Sequence, residues 1–277
     1  MTASITYSDK LIDLMKRSGE VCIGISSRSF QLTFEISKTN VMIQSINVDS
    51  KKKGGALFNI TIPSSEFDEY EVEKTLRLRI PFDKVFGSIT KQIKKISWVF
   101  DDKSFTSTYF DKNDFLKKKT VFEIEDDLMM TDAVVLKTNE EITIRDPSKF
   151  EYNDGIQAKV NLDSLMIETK SNTCDNIYMS IQTNKDIPFL RLYSKTTNGL
   201  VESFLDITEP SDHLDETIQV AVDRVLLGKV LSKIKVSAKQ LIIRIPKGVG
   251  LVSFLFLPKE SDNVACEFLM SRYSDDS

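Results

Sequence analysis

One order of elements is written twice along this chain, and a repeated unit leaves few folds open. In the first half, Ser8 is placed to cap a short helix over Asp9–Arg17, with Leu11, Leu14 and Met15 on one face. Strand-like runs follow at Val21–Ile25, Phe30–Ile36, Val41–Val48 and Leu57–Ile62, rich in β-branched and aromatic residues with turn residues between them. Pro63-Ser64-Ser65 interrupts these strands, and Leu76–Ile80 resumes them. Pro81 then opens a second helix, expected to reach about Lys95, because proline at a first helical turn lacks only an N–H that would be unpaired anyway. Phe82, Val85, Phe86, Ile89 and Ile93 form its apolar stripe. Ile96–Phe100, Phe105–Phe110 and Thr120–Glu125 complete the half as strands.

The second half repeats the order. Ile156–Val160 reads as a strand, and Asn161 caps a short helix with Leu162, Leu165 and Met166 inward. Strands follow at Ile177–Ile181, Phe189–Tyr193, Val201–Ile207 and Ile218–Val222. A longer helix over about Asp223–Lys235 carries Leu226, Leu227, Val230, Leu231 and Ile234 on its apolar side. Leu241–Ile245, Leu251–Leu257 and Ala265–Met270 end the chain as strands. The expected class is α+β: two similar β-rich domains, residues 1–125 and 155–277, each with two helices. Residues 126–154 form the interdomain connecting loop, in which Glu141–Arg145 has the composition of a short strand. Loops beyond about 12–15 residues are unusual and often functional.

Composition excludes much catalytic chemistry. The single histidine, His213, lies in a polar stretch between Pro210 and Glu216, so no histidine cluster exists to bind zinc or to serve several catalytic roles. Cys22, Cys174 and Cys266 are far apart and odd in number; with no apolar leader in MTASITYSDK they read as reduced thiols of an intracellular, non-secreted protein. The ten glycines form neither GxGxxG nor GxxxxGK[ST], so no phosphate cradle is written. The carboxylate pairs Asp101-Asp102, Asp126-Asp127 and Asp275-Asp276 read as solvated surface rather than metal ligands. No run approaches the ~18 apolar residues of a membrane span. The expectation is a binding protein, not an enzyme, with no cofactor, no metal and no membrane.

The segment Pro63-Ser64-Ser65-Glu66-Phe67-Asp68-Glu69-Tyr70, followed by Leu76-Arg77-Leu78-Arg79-Ile80 and the helix from Phe82, resembles sliding clamps of the proliferating cell nuclear antigen family. In that family a strand ends in a comparable serine-acidic-phenylalanine-tyrosine phrase before a turn, a strand and a helix that lines the DNA hole. The end of the chain, Leu251–Leu257 and then Glu267–Tyr273, is similar to the family's last two strands and tail. The resemblance implies the ring-forming DNA-clamp fold, with three two-domain subunits closing around duplex DNA as a homotrimer. Open sheet edges favour such pairing between chains, and a head-to-tail interface closes into a ring where the rotation allows.

The resemblance also gives the helix cations a role. Lys10, Lys16, Arg17, Lys84, Lys91, Lys94, Lys95, Arg224, Lys229, Lys233 and Lys235 fall on or beside three of the four expected helices, although the chain carries −4 net charge. Such a wall would touch double-stranded DNA through its phosphates without reading sequence. The other reading of these residues is a set of solvated helix faces. Val135, Leu136, Ile142 and Ile144 of the connector, with Met270 and Tyr273 of the tail, form the expected docking patch for a DNA polymerase and other clamp-binding peptides; the other reading of these is ordinary core. A clamp loader is a further implied partner, and the nucleus the implied compartment in a eukaryote. The family departures are Lys51-Lys52-Lys53, where an apolar residue is expected, a long connector, and Met270-Ser271-Arg272-Tyr273 in place of a proline-bearing tail. Two alternatives stand beside the homotrimeric processivity factor. One is a heterotrimeric checkpoint clamp subunit or a viral clamp-like factor that closes no homotrimeric ring. The other is a hydrolase or nuclease with a carboxylate-held metal.

Overall fold

The computed structural model describes residues 3–25, 31–49, 54–101, 103–123, 134–137, 141–144, 155–197, 199–211, 214, 218–235, 238–247, 251–259 and 263–271. The first half contains β1 (Ala3–Ser8), α1 (Asp9–Ile25), β2 (Gln31–Ile36), β3 (Asn40–Asp49) and β4 (Gly54–Pro63). A 3-10 turn (Ser64–Glu66), β5 (Glu69–Val72), β6 (Leu76–Pro81), α2 (Phe82–Val85), β7 (Lys95–Phe100), β8 (Ser104–Phe110) and β9 (Leu116–Glu123) follow. The connector holds β10 (Val134–Lys137) and β11 (Glu141–Ile144). The second half contains β12 (Ile156–Val160), α3 (Leu162–Ser171), β13 (Asn176–Asn184), β14 (Ile187–Thr196), β15 (Gly199–Thr208) and β16 (Gln219–Asp223). It ends with α4 (Arg224–Ile234), β17 (Ala238–Ile245), β18 (Leu251–Pro258) and β19 (Ala265–Ser271). The doubled order is therefore real: strand, helix, strands, helix, three strands. Among the described residues the 3-10 turn and β5 have no counterpart in the second half.

The chain divides into two compact units. One comprises Met1–Ser45, Asn59–Thr131 and Pro258–Cys266; the other comprises Ile46–Phe58, Asp132–Leu257 and Glu267–Ser277. In the first, antiparallel strands run in the order β5-β1-β7-β8-β9, with β9 at an edge. Strict alternation on β7 and β8 buries Ile96, Trp98 and Phe100 with Phe105, Ser107 and Tyr109. Trp98 is fully buried and meets Tyr7, Phe34 and Phe105 edge-on, at ring separations of 4.8, 5.7 and 6.2 Å.

Two expectations fail in this unit. Val21–Ile25 is not a strand, because α1 continues to Ile25. The buried positions Leu11, Leu14, Met15, Ser18 and Val21 keep a helical stripe beyond Arg17, and that stripe overrides the β-branched composition. Gly19 serves this packing: a Cβ there would stand 3.0 Å from the ring of Phe86. The second failure is the helix expected from Pro81 to Lys95, which stops at Val85. Gly87, Ser88 and Thr90 follow, all poorer helix formers than alanine, glycine by about 1 kcal/mol. The Tyr109 hydroxyl donates to the Lys84 carbonyl at 3.1 Å, engaging a backbone acceptor at the helix end. Thereafter Ile89 N–H reaches Phe86 O, Ile93 N–H reaches Thr90 O, and Lys94 N–H joins Phe110 O of β8. The apolar stripe itself is correct, for Phe82, Val85, Phe86, Ile89 and Ile93 are all buried.

The phrase around Tyr70 works as a structural tie. Phe67 is buried against Tyr7 and Tyr70. The Tyr70 hydroxyl donates to the carbonyls of Ser37 and Asn40, at 2.5 and 2.8 Å, and so clasps the β2–β3 turn. Burial pushes its pKa up to about 12. Unfolded tyrosine titrates near 10, so the protonated clasp contributes fully below that pH and is lost as pH rises through about 12. Tyr70→Phe is therefore expected to flatten the alkaline limb of a pH–stability curve between those values; an unchanged limb would remove Tyr70 from the account.

In the second unit the strand succession is β16-β13-β14-β15-β12-β17-β18-β19. The expected cap of α3 forms, since Asn161 Oδ1 accepts from Ser164 N–H at 3.0 Å; α4 has a cap beyond the one expected, Asp223 Oδ1 accepting from Leu226 N–H at 2.8 Å. Helix α4 buries Leu227, Val230, Leu231 and Ile234, and Leu165 and Met166 are buried on α3. The two helices run antiparallel. Lys235 Nζ lies 2.8 Å from Asp163 Oδ1, while the Thr169 methyl stands 3.8 Å from the Cβ position of Gly228. In the connector β10 and β11 form an antiparallel hairpin pairing Leu136 with Ile142.

Candidate nucleic-acid interface

The structure sorts the expected cations by what holds them. Lys16 and Arg17 are half-buried on α1, and the side chain of Lys10 lies outside the described residues. Lys84, on α2, sits 3.7 Å from Asp83. Because α2 is short, Lys91 and Lys94 stand exposed in the turns after it, and Lys95 begins β7. Arg224 helps to hold the fold together, since its Nε donates to the Cys174 carbonyl at 2.5 Å and its backbone N–H to Asp175 O at 2.8 Å. Lys235 is engaged by Asp163. Lys229 and Lys233 are exposed on α4 one turn apart, on one face.

The cations of the first unit acquire neighbours that the helix-centred reading missed. Lys94 N–H bonds Phe110 O at 2.9 Å, and Lys95 Nζ lies 3.6 Å from Asp114 and 5.9 Å from the centre of the Phe110 ring. Lys118 Nζ donates to Ser88 Oγ at 2.6 Å, joining β9 to the turn after α2. The basic surface of this unit thus includes the lysine run Lys117-Lys118-Lys119 of β9. The signal was present in the sequence as three consecutive lysines, but it sits on a strand.

The expected docking residues are less assembled. Val135 and Leu136 lie on β10, Ile142 and Ile144 on β11, and their side chains fall outside the described residues. Met270 is buried in β19 with 1% of its surface exposed, a core position. Tyr273, His213 and Lys51–Lys53 lie outside the described residues. Among the described residues no group of three or more His, Cys, Asp or Glu side chains is placed to hold a metal. No described helix is long and apolar enough to cross a membrane.

Two units of strands, each with two helices and the same order of elements, define the DNA-clamp fold. No protein-family model matches this sequence, and no curated protein matches it. Solved structures do. The chain is similar to proliferating cell nuclear antigen (PCNA) from Thermococcus kodakaraensis at 15% identity and a TM-score of 0.64, over 98% of this chain and all of that one. It is also similar to a structure of the C-terminal region of FEN-1 bound to A. fulgidus PCNA, at 10% identity and a TM-score of 0.69, over the full length of both chains. The likeness is one of fold.

Proposed function

We propose that this chain is a sliding clamp: copies of it close a ring around duplex DNA and tether a DNA polymerase and other replication or repair proteins. The observation that carries this reading is the full-length match to clamp structures despite low identity. Residues 1–125 and 155–277 act as the two clamp domains, and residues 126–154 as the connector that receives partner peptides together with the tail. A clamp loader opens the ring, which in a eukaryote works in the nucleus.

Two open edges support closure by three copies. Strand β9 has β8 on one side only. Strand β15 pairs with β14 along its length but with β12 only at Ile207 and Thr208, so its stretch from Gly199 to Asp206 has one free side among the described residues. Both edges expose apolar side chains, Leu116 and Val121 on β9 and Leu200, Val201 and Phe204 on β15. Their charges differ in sign: Lys118 and Lys119 on β9, with Lys117 held by Asp111, against Asp206 on β15, with Glu202 held by Arg191. A heterologous pairing of β9 with β15 of the next copy removes both edges at every junction. The test is native mass at micromolar concentration. Three chains are expected, and a single chain would sink the homotrimer.

The DNA contact is assigned to Lys84, Lys91, Lys94 and Lys95 in one unit and Lys229 and Lys233 in the other, with Lys10, Lys16 and Arg17 of α1 beside them. Arg224, Lys84, Lys95 and Lys235 are already engaged, Arg224 by the Cys174 carbonyl and the lysines by Asp83, Asp114 and Asp163, so direct contact with a phosphate requires those partners to give way. Replacing Lys229 and Lys233 by alanine is expected to flatten the log–log salt dependence of duplex binding by about 0.9 for each phosphate that is no longer neutralised. An unchanged slope returns them to the solvated face of α4.

A further inference from the structure

We propose that the turn between β8 and β9 is a contact site for unpaired nucleotides, with Phe115 as the stacking surface and Lys91, Lys94 and Lys112 as phosphate contacts. This rests on the clamp reading, since it places a single-strand contact beside the duplex-binding lysines.

The turn is built to hold its shape. Asp111 Oδ1 accepts from the N–H groups of Asn113 and Phe115, at 2.9 and 3.2 Å. The Asp111 N–H donates to Phe115 O at 3.1 Å, and Asp114 N–H to Asp111 O at 3.1 Å. Asp114 holds a φ of 59°, a left-handed conformation that aspartate tolerates better than most residues. Lys117 Nζ closes on Asp111 at 2.9 Å, and this ion pair with the two N–H donors keeps the Asp111 carboxyl below its ordinary range. Out of this frame Phe115 projects with 66% of its surface exposed, the most exposed aromatic ring among the described residues. A rigid exposed ring loses little freedom on binding.

Charge selects the occupant. The carboxylates at the turn are already paired, Asp111 with Lys117 and Asp114 with Lys95. The side chains of Lys91, Lys94 and Lys112 form no ion pair among the described residues, and the Lys94 backbone is bonded to Phe110 at the root of the turn. An exposed ring on a turn that carries Lys112 and is joined to Lys94 at its root fits a polyanion that also offers flat apolar faces. A duplex keeps its base faces stacked inside, whereas a single strand presents them, and base–aromatic stacking is indifferent to sequence.

The experiment compares fluorescein-labelled oligo(dT) with a duplex of equal length by anisotropy at low salt, using the full chain. Phe115→Ala is expected to weaken oligo(dT) binding about tenfold while duplex affinity and native mass stay unchanged, and Phe115→Trp to retain or tighten it. Lys112→Ala should weaken oligo(dT) binding and flatten its salt dependence. If Phe115→Ala leaves oligo(dT) binding intact, or weakens both probes equally, the stacking assignment is wrong. If it lowers the native mass, Phe115 is a contact between copies and the proposal falls. Should the wild-type chain bind neither probe, the clamp reading itself fails, a result separate from any effect of Phe115.

Discussion

If the proposed trimer forms, replacing Phe204 with aspartate is expected to reduce the native mass from three chains to one at micromolar concentration. Phe204 stands on a face of β15 with 61% of its surface exposed, edge-on against Phe189 of β14 at 5.5 Å, in the stretch whose other backbone side is open. A large aromatic ring at the middle of an interface is the kind of residue that dominates association, and losing one costs roughly 2–4 kcal/mol. Aspartate adds a second penalty, because the arriving β9 would desolvate the new carboxylate beside Asp206, while Arg191 across the ladder is already paired with Glu202. The fold should be indifferent: exposed substitutions away from special features usually stay within about 0.5 kcal/mol. A variant that melts normally and weighs one chain locates the junction on β15. One that still weighs three chains places the junction elsewhere, and one that melts far below wild type shows that Phe204 supports the unit itself.

Phe105→Ala should destabilise the first unit by about 3–5 kcal/mol, the usual cost of removing a buried phenylalanine. Phe105 is fully buried, 5.0 Å from the Phe100 ring and 6.2 Å from Trp98. Trp98 is the single tryptophan of the chain, so its fluorescence reports this unit alone. Denaturant unfolding followed at Trp98 should shift to a markedly lower midpoint in the variant. A midpoint within error of wild type would mean that the site collapses around the missing ring, contrary to its close packing against Phe100 and Trp98.

Most of the fold is legible in the residues because alternation is a local property. β7 and β8 are plain from their inward Ile96, Trp98, Phe100, Phe105 and Tyr109, α3 from its cap Asn161, and α4 from the stripe of Leu227, Val230, Leu231 and Ile234. The errors occur where tertiary contacts overrule local preference. Val21 lies in a run with strand composition, yet its place on the stripe of Leu14 and Ser18 keeps it helical. The segment after Phe86 has helical spacing, yet Gly87 and the hydrogen bond from Lys94 to Phe110 turn it into loop. The candidate site inherits the second error. Of the lysines read as one helix face, Lys84 stays on α2 while Lys94 and Lys95 join the β8–β9 hairpin, and the carboxylates that neutralise Lys95 and Lys235 come from Asp114 and Asp163, far away in sequence. No spacing rule sees such pairs.

The lysine run on β9 also limits which assemblies can exist. Two β9 edges brought together about a twofold axis would set lysine against lysine, and two β15 edges would oppose Glu202 and Asp206 to their own copies; like charges directly across a ladder repel. Self-complementary dimers are thus disfavoured at both edges, while the mixed pairing is attractive at each. Specificity of this kind comes from penalising the wrong partner rather than from improving the right one. In the proposed clamp a chain so equipped would stay single until its two different edges met, and assembly would then run in one direction until the circle shut.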